Sequence, residues 1–297
     1  MQGFGYERPH ALARAVALLQ AHGSQAVLLA GGTDLIVGLR ERRLRPAVVV
    51  DIKHVAGLEP SITRAGGLVR ITADTVLTDV AADQCVRSNF PALAQAAAVI
   101  GTVQIRNRAT LAGNICNASP AADTAPPLLV YQAQVVAYGP GGTRRIPIDG
   151  FFAGPGLTTL APDEVVTAIE LPVPGPHAGS AFGRLSRRRG ADLATVSVSA
   201  YVDGDGVTRL GFGAVGPRPI LIADHSGQLA DPAGRADMLA RLVRTASPIS
   251  DVRASREYRM SMLAELSQRV LDAATGAASG AAAGAAIDGR RAEGGRR

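Results

Sequence analysis

Between Ile100 and Pro127 the apolar periodicity of this 297-residue chain stops, and a long stretch rich in glycine, asparagine and proline replaces it. Irregular segments of that length are uncommon inside compact domains and usually serve a function. Within it, Thr110-Leu111-Ala112-Gly113-Asn114 combines a hydroxyl, small residues and a side-chain amide. A second turn of similar chemistry lies far upstream at Ala30-Gly31-Gly32-Thr33-Asp34, between the buried-strand pattern Ala26 to Ala30 and the helix-like Leu35-Ile36-Val37-Gly38-Leu39-Arg40. Glycines there allow close backbone approach to a ligand, and the amides opening a helix favour phosphate. Either turn alone is also readable as a tight connection without a ligand. Two of them suit the two phosphates of a dinucleotide, where a mononucleotide needs one.

The flanking pattern alternates helices and strands. A helix runs from Ala11 and closes at Gly23, with Val16, Leu18 and Leu19 on one face. Strands are expected at Val48 to Ile52 and Leu68 to Ala73, the latter after an Ala65-Gly66-Gly67 hairpin turn. A helix capped by Thr78 is expected to reach Ser88, and another covers Pro91 to Ala98. Strands resume at Gln134 to Tyr138 and Val165 to Leu171, and Pro172, Pro174 and Pro176 mark a linker. Beyond it, Thr195 to Val202 and Thr208 to Val215 read as an antiparallel pair across Asp203-Gly204-Asp205-Gly206. Helices at Arg235 to Arg244 and Arg256 to Ala274 follow. The Ala/Gly/Arg segment 276–297 is expected to be disordered.

Composition narrows the function classes. With 47% hydrophobic and 19% charged residues the chain is globular. Its longest apolar runs fall far short of a membrane span, and Met1 to Glu7 lacks the apolar core of a signal peptide, so a cytoplasmic location is expected. Cys85 and Cys116 are its two cysteines, too few for a disulfide scaffold or a four-cysteine metal or iron–sulfur site. Its five histidines show no ligand spacing. The net charge of +6 is scattered and aromatics are scarce, which argues against a nucleic-acid partner. No nucleophile elbow, zincin helix or Walker lysine is present.

Ala30-Gly31-Gly32-Thr33-Asp34-Leu35, followed by Arg106-Asn107-Arg108-Ala109-Thr110-Leu111-Ala112-Gly113-Asn114 with Ser119-Pro120 and Asp123, closely resembles the FAD-binding medium subunit of molybdenum hydroxylases, the family of xanthine dehydrogenase, aldehyde oxidoreductase and carbon monoxide dehydrogenase. The resemblance continues through Ala181 to Arg188, Leu210 to Pro219 and Glu257-Tyr258-Arg259, and covers about residues 1–275. It implies an α+β chain: a two-lobed FAD-binding domain of the vanillyl-alcohol-oxidase-like type over 1–173 (lobes 1–57 and 58–173), then a small α+β C-terminal domain over 174–275.

The resemblance also implies roles. Leu29, Ala30, Gly31, Gly32, Thr33, Asp34, Leu35 and Ile36, with Thr110, Leu111, Ala112, Gly113 and Asn114, would hold the FAD pyrophosphate. Gly101 and Thr102 would lie along the flavin or its ribityl chain, Asp123 would hydrogen-bond the cofactor, and Val166 would pack near it. Arg184 stands near a cofactor-contacting lysine of the family. Ala112 replaces a second glycine common in relatives. Cys116 reads as a small buried residue rather than a redox thiol.

The function so implied is that of a flavoprotein oxidoreductase subunit with no catalytic side chain of its own. Electrons would come from [2Fe–2S] clusters of a small partner subunit, itself served by the molybdenum cofactor of a large molybdopterin-binding subunit, and leave through non-covalent FAD to a terminal acceptor. A dimer of heterotrimers is expected. Gly32-Thr33-Asp34 is the form common in xanthine-like and aldehyde enzymes, whereas carbon monoxide dehydrogenase flavoproteins more usually carry glutamine or histidine followed by serine there. The rival readings are a stand-alone flavin oxidoreductase and a flavin-free nucleotide-binding scaffold.

Overall fold

The computed structural model describes residues 3–188 and 190–280 and the backbone of 287–288. The first lobe is a three-stranded parallel sheet, order β1-β3-β2, built from β1 (Gly5–Glu7), β2 (Ala26–Leu29) and β3 (Val48–Asp51). Helix α1 (Leu12–His22) buries Ala15, Val16, Leu18 and Leu19, the face its sequence spacing predicts, and ends at Gly23. Helix α2 (Leu35–Arg40) follows the first glycine turn. Asp51 closes β3 almost fully buried, taking the Tyr6 hydroxyl and, at 2.6 Å, the Lys53 ammonium.

The second lobe starts with the hairpin β4 (Ile62–Ala65) and β5 (Leu68–Thr72). The helix expected over 78–88 is two: α3 (Leu77–Ala82) and α4 (Gln84–Asn89). Asp83 takes an extended conformation between them, and its carboxylate accepts the Val86 amide, capping the second helix instead of continuing the first. Thr78 caps neither helix, since its hydroxyl donates to Asn107. Helix α5 (Pro91–Ala98) starts on proline, as expected. The irregular stretch contains three short helices, α6 (Val103–Arg106), α7 (Leu111–Cys116) and α8 (Ala125–Val130). The hydroxyls of Thr102 and Thr110 accept amides at the starts of α6 and α7, holding turns that residue propensity alone would not form.

Strands β6 (Gln134–Gly139) and β7 (Gly142–Pro147), the small hairpin β8 (Phe152–Gly154) and β9 (Leu157–Thr158), and β10 (Val165–Pro172) complete the lobe. The main sheet is antiparallel, order β4-β5-β10-β6-β7, with β10 at its centre and almost wholly buried. One contiguous apolar core joins the two lobes, running from Val16, Leu19 and Ile52 to Val69, Leu77 and Ile169.

The C-terminal sheet has the order β14-β13-β12-β11, from β11 (Gly179–Leu185), β12 (Val196–Val202), β13 (Thr208–Gly213) and β14 (Ile220–Asp224). The expected pair is β12 and β13, antiparallel from Ser197↔Gly213 to Val202↔Thr208. Helices α9 (Arg235–Val243) and α10 (Arg256–Ala278) back this sheet around a separate core of Val198, Phe212, Leu263 and Val270. Helix α10 reaches three residues into the segment expected as tail, and β15 (Ile287–Asp288) lies parallel to β11; the rest of the tail lies outside the described residues. Among the described residues no helix is long and apolar enough to cross a membrane, and no cluster of ligand-type side chains could hold a metal.

At the start of α10 a buried guanidinium organises three segments. Arg259, 2% exposed, donates to the Thr195 carbonyl and to Asp251 Oδ1 at 2.7 Å. Asp251 also takes the Arg253 guanidinium at 2.7 Å and the Arg253 amide at 2.9 Å. Desolvation alone would raise the Asp251 carboxyl, but the hydrogen bonds from Arg253 and Arg259 outweigh it and hold the acid below its ordinary value. Asp251→Ala strands Arg259 without its carboxylate and should cost about 3 kcal/mol in urea unfolding at pH 7. Because the native value is depressed, the contribution is present above roughly pH 4 and is lost as pH falls through the native value. The stability gap between wild type and variant should therefore close on acidification; a gap that stays constant would contradict this account.

Candidate cofactor site

Strand β2 delivers the first glycine turn to the edge of a cavity of about 650 Å³. Ala30, Gly31, Gly32, Thr33, Asp34 and Leu35 line one wall. Thr110, Ala112, Gly113, Asn114 and Cys116 line another, and Val165 and Val166 of β10 join them. A smaller cavity of about 140 Å³ near Gln132 and Asp149 involves neither turn.

The walls meet where a side chain is missing. A Cβ on Gly31 would stand 2.0 Å from the Arg108 carbonyl oxygen, so only glycine lets the turns touch backbone to backbone. Gly32 has φ +76°, and its Cβ would lie 2.8 Å from Leu29 Cδ1. The second turn is tied down independently: the Leu77 amide donates to the Ala109 carbonyl at 2.8 Å and the Leu111 amide to the Thr75 carbonyl at 3.2 Å. Arg106 of the same run donates to the Ile100 carbonyl at 3.0 Å.

The polar inventory points to an anion. None of the amides of Gly31, Gly32, Thr33 and Asp34 has a hydrogen-bond partner among the described residues, and neither has that of Ala112. Unpaired amides in a half-covered turn need a partner, and a run of them forms an anion-binding concavity. The Thr110 hydroxyl accepts the Gly113 amide at 2.9 Å, leaving its proton to donate outward. Asn114 Oδ1 accepts the Thr124 hydroxyl at 2.6 Å, which leaves its NH₂ group unused. Thr33 adds a hydroxyl at the rim. Diphosphate oxygens match these donors.

Other predicted residues lie around this centre. Leu29 and Ile36 flank the turn rather than line the cavity: Leu29 accepts the Ile52 amide at 3.0 Å, and the Ile36 amide donates to Gly32 at 3.0 Å. Leu111 is wholly buried in the core beneath α7. Gly101 and Thr102 sit outside the cavity wall, at the turn into α6. Asp123 and Arg184 also lie off the wall, in an ion pair of 2.7 Å. Each is thus the other's ion-pair partner. Asp123 Oδ1 has no partner among the described residues although it is buried. Burial pushes the Asp123 carboxyl up to about 6 against the opposing pull of Arg184. That orphaned oxygen, the open amides and the side-chain-free contact at Gly31 all fit a bound dinucleotide.

Burial likewise pushes the Cys116 thiol up to about 12, and Cys116, expected to be buried, is partly exposed on the cavity wall. Sequence reading missed Val37, Arg43, Leu44 and Pro162, which also line the cavity. Arg43 and Leu44 follow α2 with no motif to mark them.

Comparison with known proteins agrees with this geometry. The family described as FAD binding domain in molybdopterin dehydrogenase matches residues 2–174, and the CO dehydrogenase flavoprotein C-terminal domain matches residues 181–274. The chain is 36% identical over 282 residues to the xanthine dehydrogenase FAD-binding subunit of Escherichia coli O157:H7, covering 92% of this chain and 96% of that one. It is 32% identical over 279 residues to the carbon monoxide dehydrogenase medium chain of Hydrogenophaga pseudoflava, covering 91% and 96%. Among solved structures, reconstituted CO dehydrogenase from Oligotropha carboxidovorans superposes with a TM-score of 0.87 at 28% identity, covering 92% and 98%. Quinoline 2-oxidoreductase from Pseudomonas putida 86 gives 0.83 at 26%, covering 94% and 98%. The chain belongs to the family of FAD-binding medium subunits of molybdenum hydroxylases.

Proposed function

We propose that this chain is the FAD-bearing electron-transfer subunit of a heteromeric molybdenum hydroxylase, set between a small [2Fe–2S] subunit and a terminal acceptor. The observation that carries this reading is the meeting of two amide-rich turns at Gly31 and Arg108 over one cavity. FAD, when bound, supplies a carrier that exchanges electrons singly or in pairs. The chain's residues bind and orient it. The open amides of 31–34 and of Ala112, with the hydroxyls of Thr33 and Thr110 and the Asn114 amide, hold the diphosphate. The apolar wall of Val27, Val37, Leu44 and Val166 excludes water from the dinucleotide. Gly101 and Thr102 border the flavin half, and Asp123, locked by Arg184, presents its free oxygen there.

The organic substrate belongs to the large molybdopterin subunit, and we place it among xanthine-like N-heterocycles or aldehydes on the Gly32-Thr33-Asp34 form of the first turn. The xanthine dehydrogenase relative at 36% identity supports that placement over carbon monoxide, whose relative stands at 32%. The complex is a dimer of heterotrimers in the cytoplasm. A stand-alone oxidoreductase would need a base over the flavin, and no histidine lines the cavity.

Reconstitution tests the reading. The isolated chain should oxidise no purine, aldehyde or N-heterocycle, while the complex with both partners reduces an artificial acceptor; substrate oxidation by the chain alone would support the stand-alone reading. Acid precipitation of the yellow protein should release the flavin to the supernatant, as non-covalent attachment requires. Gly32→Val should lose most bound flavin while keeping its far-UV circular dichroism, since a β-branched residue resists φ +76° and crowds Leu29.

Asp123 gives a pH test. Its native value lies above the ordinary carboxylate range, so the native state binds the proton more tightly than the unfolded chain. Its charged form therefore costs stability increasingly as pH rises from about 4 toward 6. The side-chain carboxyl carbon of Asp123, followed by NMR in the FAD-free chain, should titrate near pH 6 and move higher in Arg184→Met. Titration near pH 4 in both proteins would reject the assignment.

A further inference from the structure

Val37, Gly38, Arg43 and Leu44 line the cavity although they belong to neither glycine turn. Their placement follows from α2 and the way it ends. The helix starts at Leu35, directly after the first turn, and its six residues rise about 9 Å. That length is room for a nucleoside beside the diphosphate donors. Leu35 and Leu39 anchor the helix on Val49, while Val37 and Gly38 meet the cavity. After Arg40 the chain folds back. The Gly38 carbonyl accepts the amides of both Arg43 and Leu44, at 2.9 and 3.1 Å, and Arg42 turns through φ +59° to allow it. Leu44 thereby returns onto Gly38, where a Cβ would stand 2.8 Å from Leu44 Cδ1. Glycine at 38 keeps Leu44 close against the helix.

Val37 and Leu44 are each 43% exposed. Apolar side chains on a cavity wall gain by being covered, and a flat heteroaromatic ring is the part of a dinucleotide that can cover them. Arg43 is the cation of the cavity lining, its guanidinium held by Glu41 at 2.6 Å and still largely exposed. A guanidinium beside an apolar surface stacks on planar bases. As a group with donors alone, it also suits the acceptor nitrogens of adenine. The isoalloxazine carries an N–H between two carbonyls, and among these four residues no side chain accepts a hydrogen bond. Adenine fits this flank better than the flavin does.

We propose that this flank of α2 is the adenosine subsite: adenine lies on Val37 and Leu44, and Arg43 holds its edge. The proposal rests on the FAD reading above, which gives the flavin half to Gly101, Thr102 and Asp123. Preference for the dinucleotide over flavin mononucleotide, which has no adenosine, then resides in residues 37–44.

The test is ligand binding to the flavin-stripped full chain, by flavin fluorescence for FAD and by calorimetry for ADP, which carries the adenosine and diphosphate without the flavin. Leu44→Asp should weaken both ligands about tenfold, and Arg43→Met about threefold. With FAD at saturation the visible flavin spectrum should match wild type in each variant, because the ring lies elsewhere. Both side chains are partly exposed, so the thermal midpoint should hold. Leu44→Ala, expected at about threefold, replaces Leu44→Asp if that variant fails to fold. Unchanged ADP affinity in a folded variant, or a shifted flavin spectrum, overturns the proposal, as does a wild-type chain that binds FAD but no ADP at millimolar concentration. If the wild-type chain binds no FAD at all, the FAD reading falls together with the subsite; if wild type binds both ligands and the variants bind them equally, only the subsite falls.

Discussion

The approach of Gly31 to the Arg108 carbonyl governs the geometry of the site. With their backbones in direct contact, the two loops hold their unpaired amides on one cavity wall. Any side chain at residue 31 would drive them apart. The rest of the local structure maintains that contact: Leu77 and Thr75 hold the second loop from one side, and the Ile52 amide on the Leu29 carbonyl fixes the strand that ends in the first turn. The shared core beneath makes the two lobes a single frame, so the spacing of the donors is set before a ligand arrives.

What the sequence made legible was local. Both turns are short patterns whose chemistry is complete within five or six residues, and the strands beside them follow simple apolar runs. The amphipathic face of α1 and the β12–β13 pair were readable for the same reason. The contact between Gly31 and Arg108 was not, because a backbone approach between distant segments leaves no periodic mark. Nor was the Asp123–Arg184 pair, whose members lie 61 residues apart. The break at Asp83 escaped because apolar spacing continues across it, and only the carboxylate's hydrogen bond to Val86 stops the helix. The short helices after Thr102 and Thr110 escaped for the converse reason: glycine and asparagine read as irregular, and caps with tertiary hydrogen bonds supply what propensity lacks.

The polar groups divide into two kinds. Asp51 and Asp251 are saturated by cations and amides, and their acids are held low; they fix backbone. Asp123 has one oxygen engaged and one free, and desolvation holds its proton near pH 6. A structural acid is finished by its own chain, whereas Asp123 keeps one buried oxygen without a partner among the described residues. Its partner Arg184 stands on β11 of the C-terminal sheet, so this ion pair joins the two halves of the protein.

Those halves meet along a seam of unusual directness. The Phe182 amide donates to the Gln95 side chain at 2.8 Å and the Ala214 amide to the Pro120 carbonyl at 2.7 Å. The Tyr131 and Ser180 hydroxyls share a hydrogen bond of 2.5 Å, and Arg209 spans from the Gln132 side chain to the face of Tyr201. These ties engage peptide groups of both halves, the Phe182 amide of β11 and the Ala214 amide on one side and the Pro120 carbonyl on the other. The proline-marked linker after Pro172 then has little mechanical duty in the finished molecule. A protease nick there would divide the polypeptide into two pieces that remain one particle.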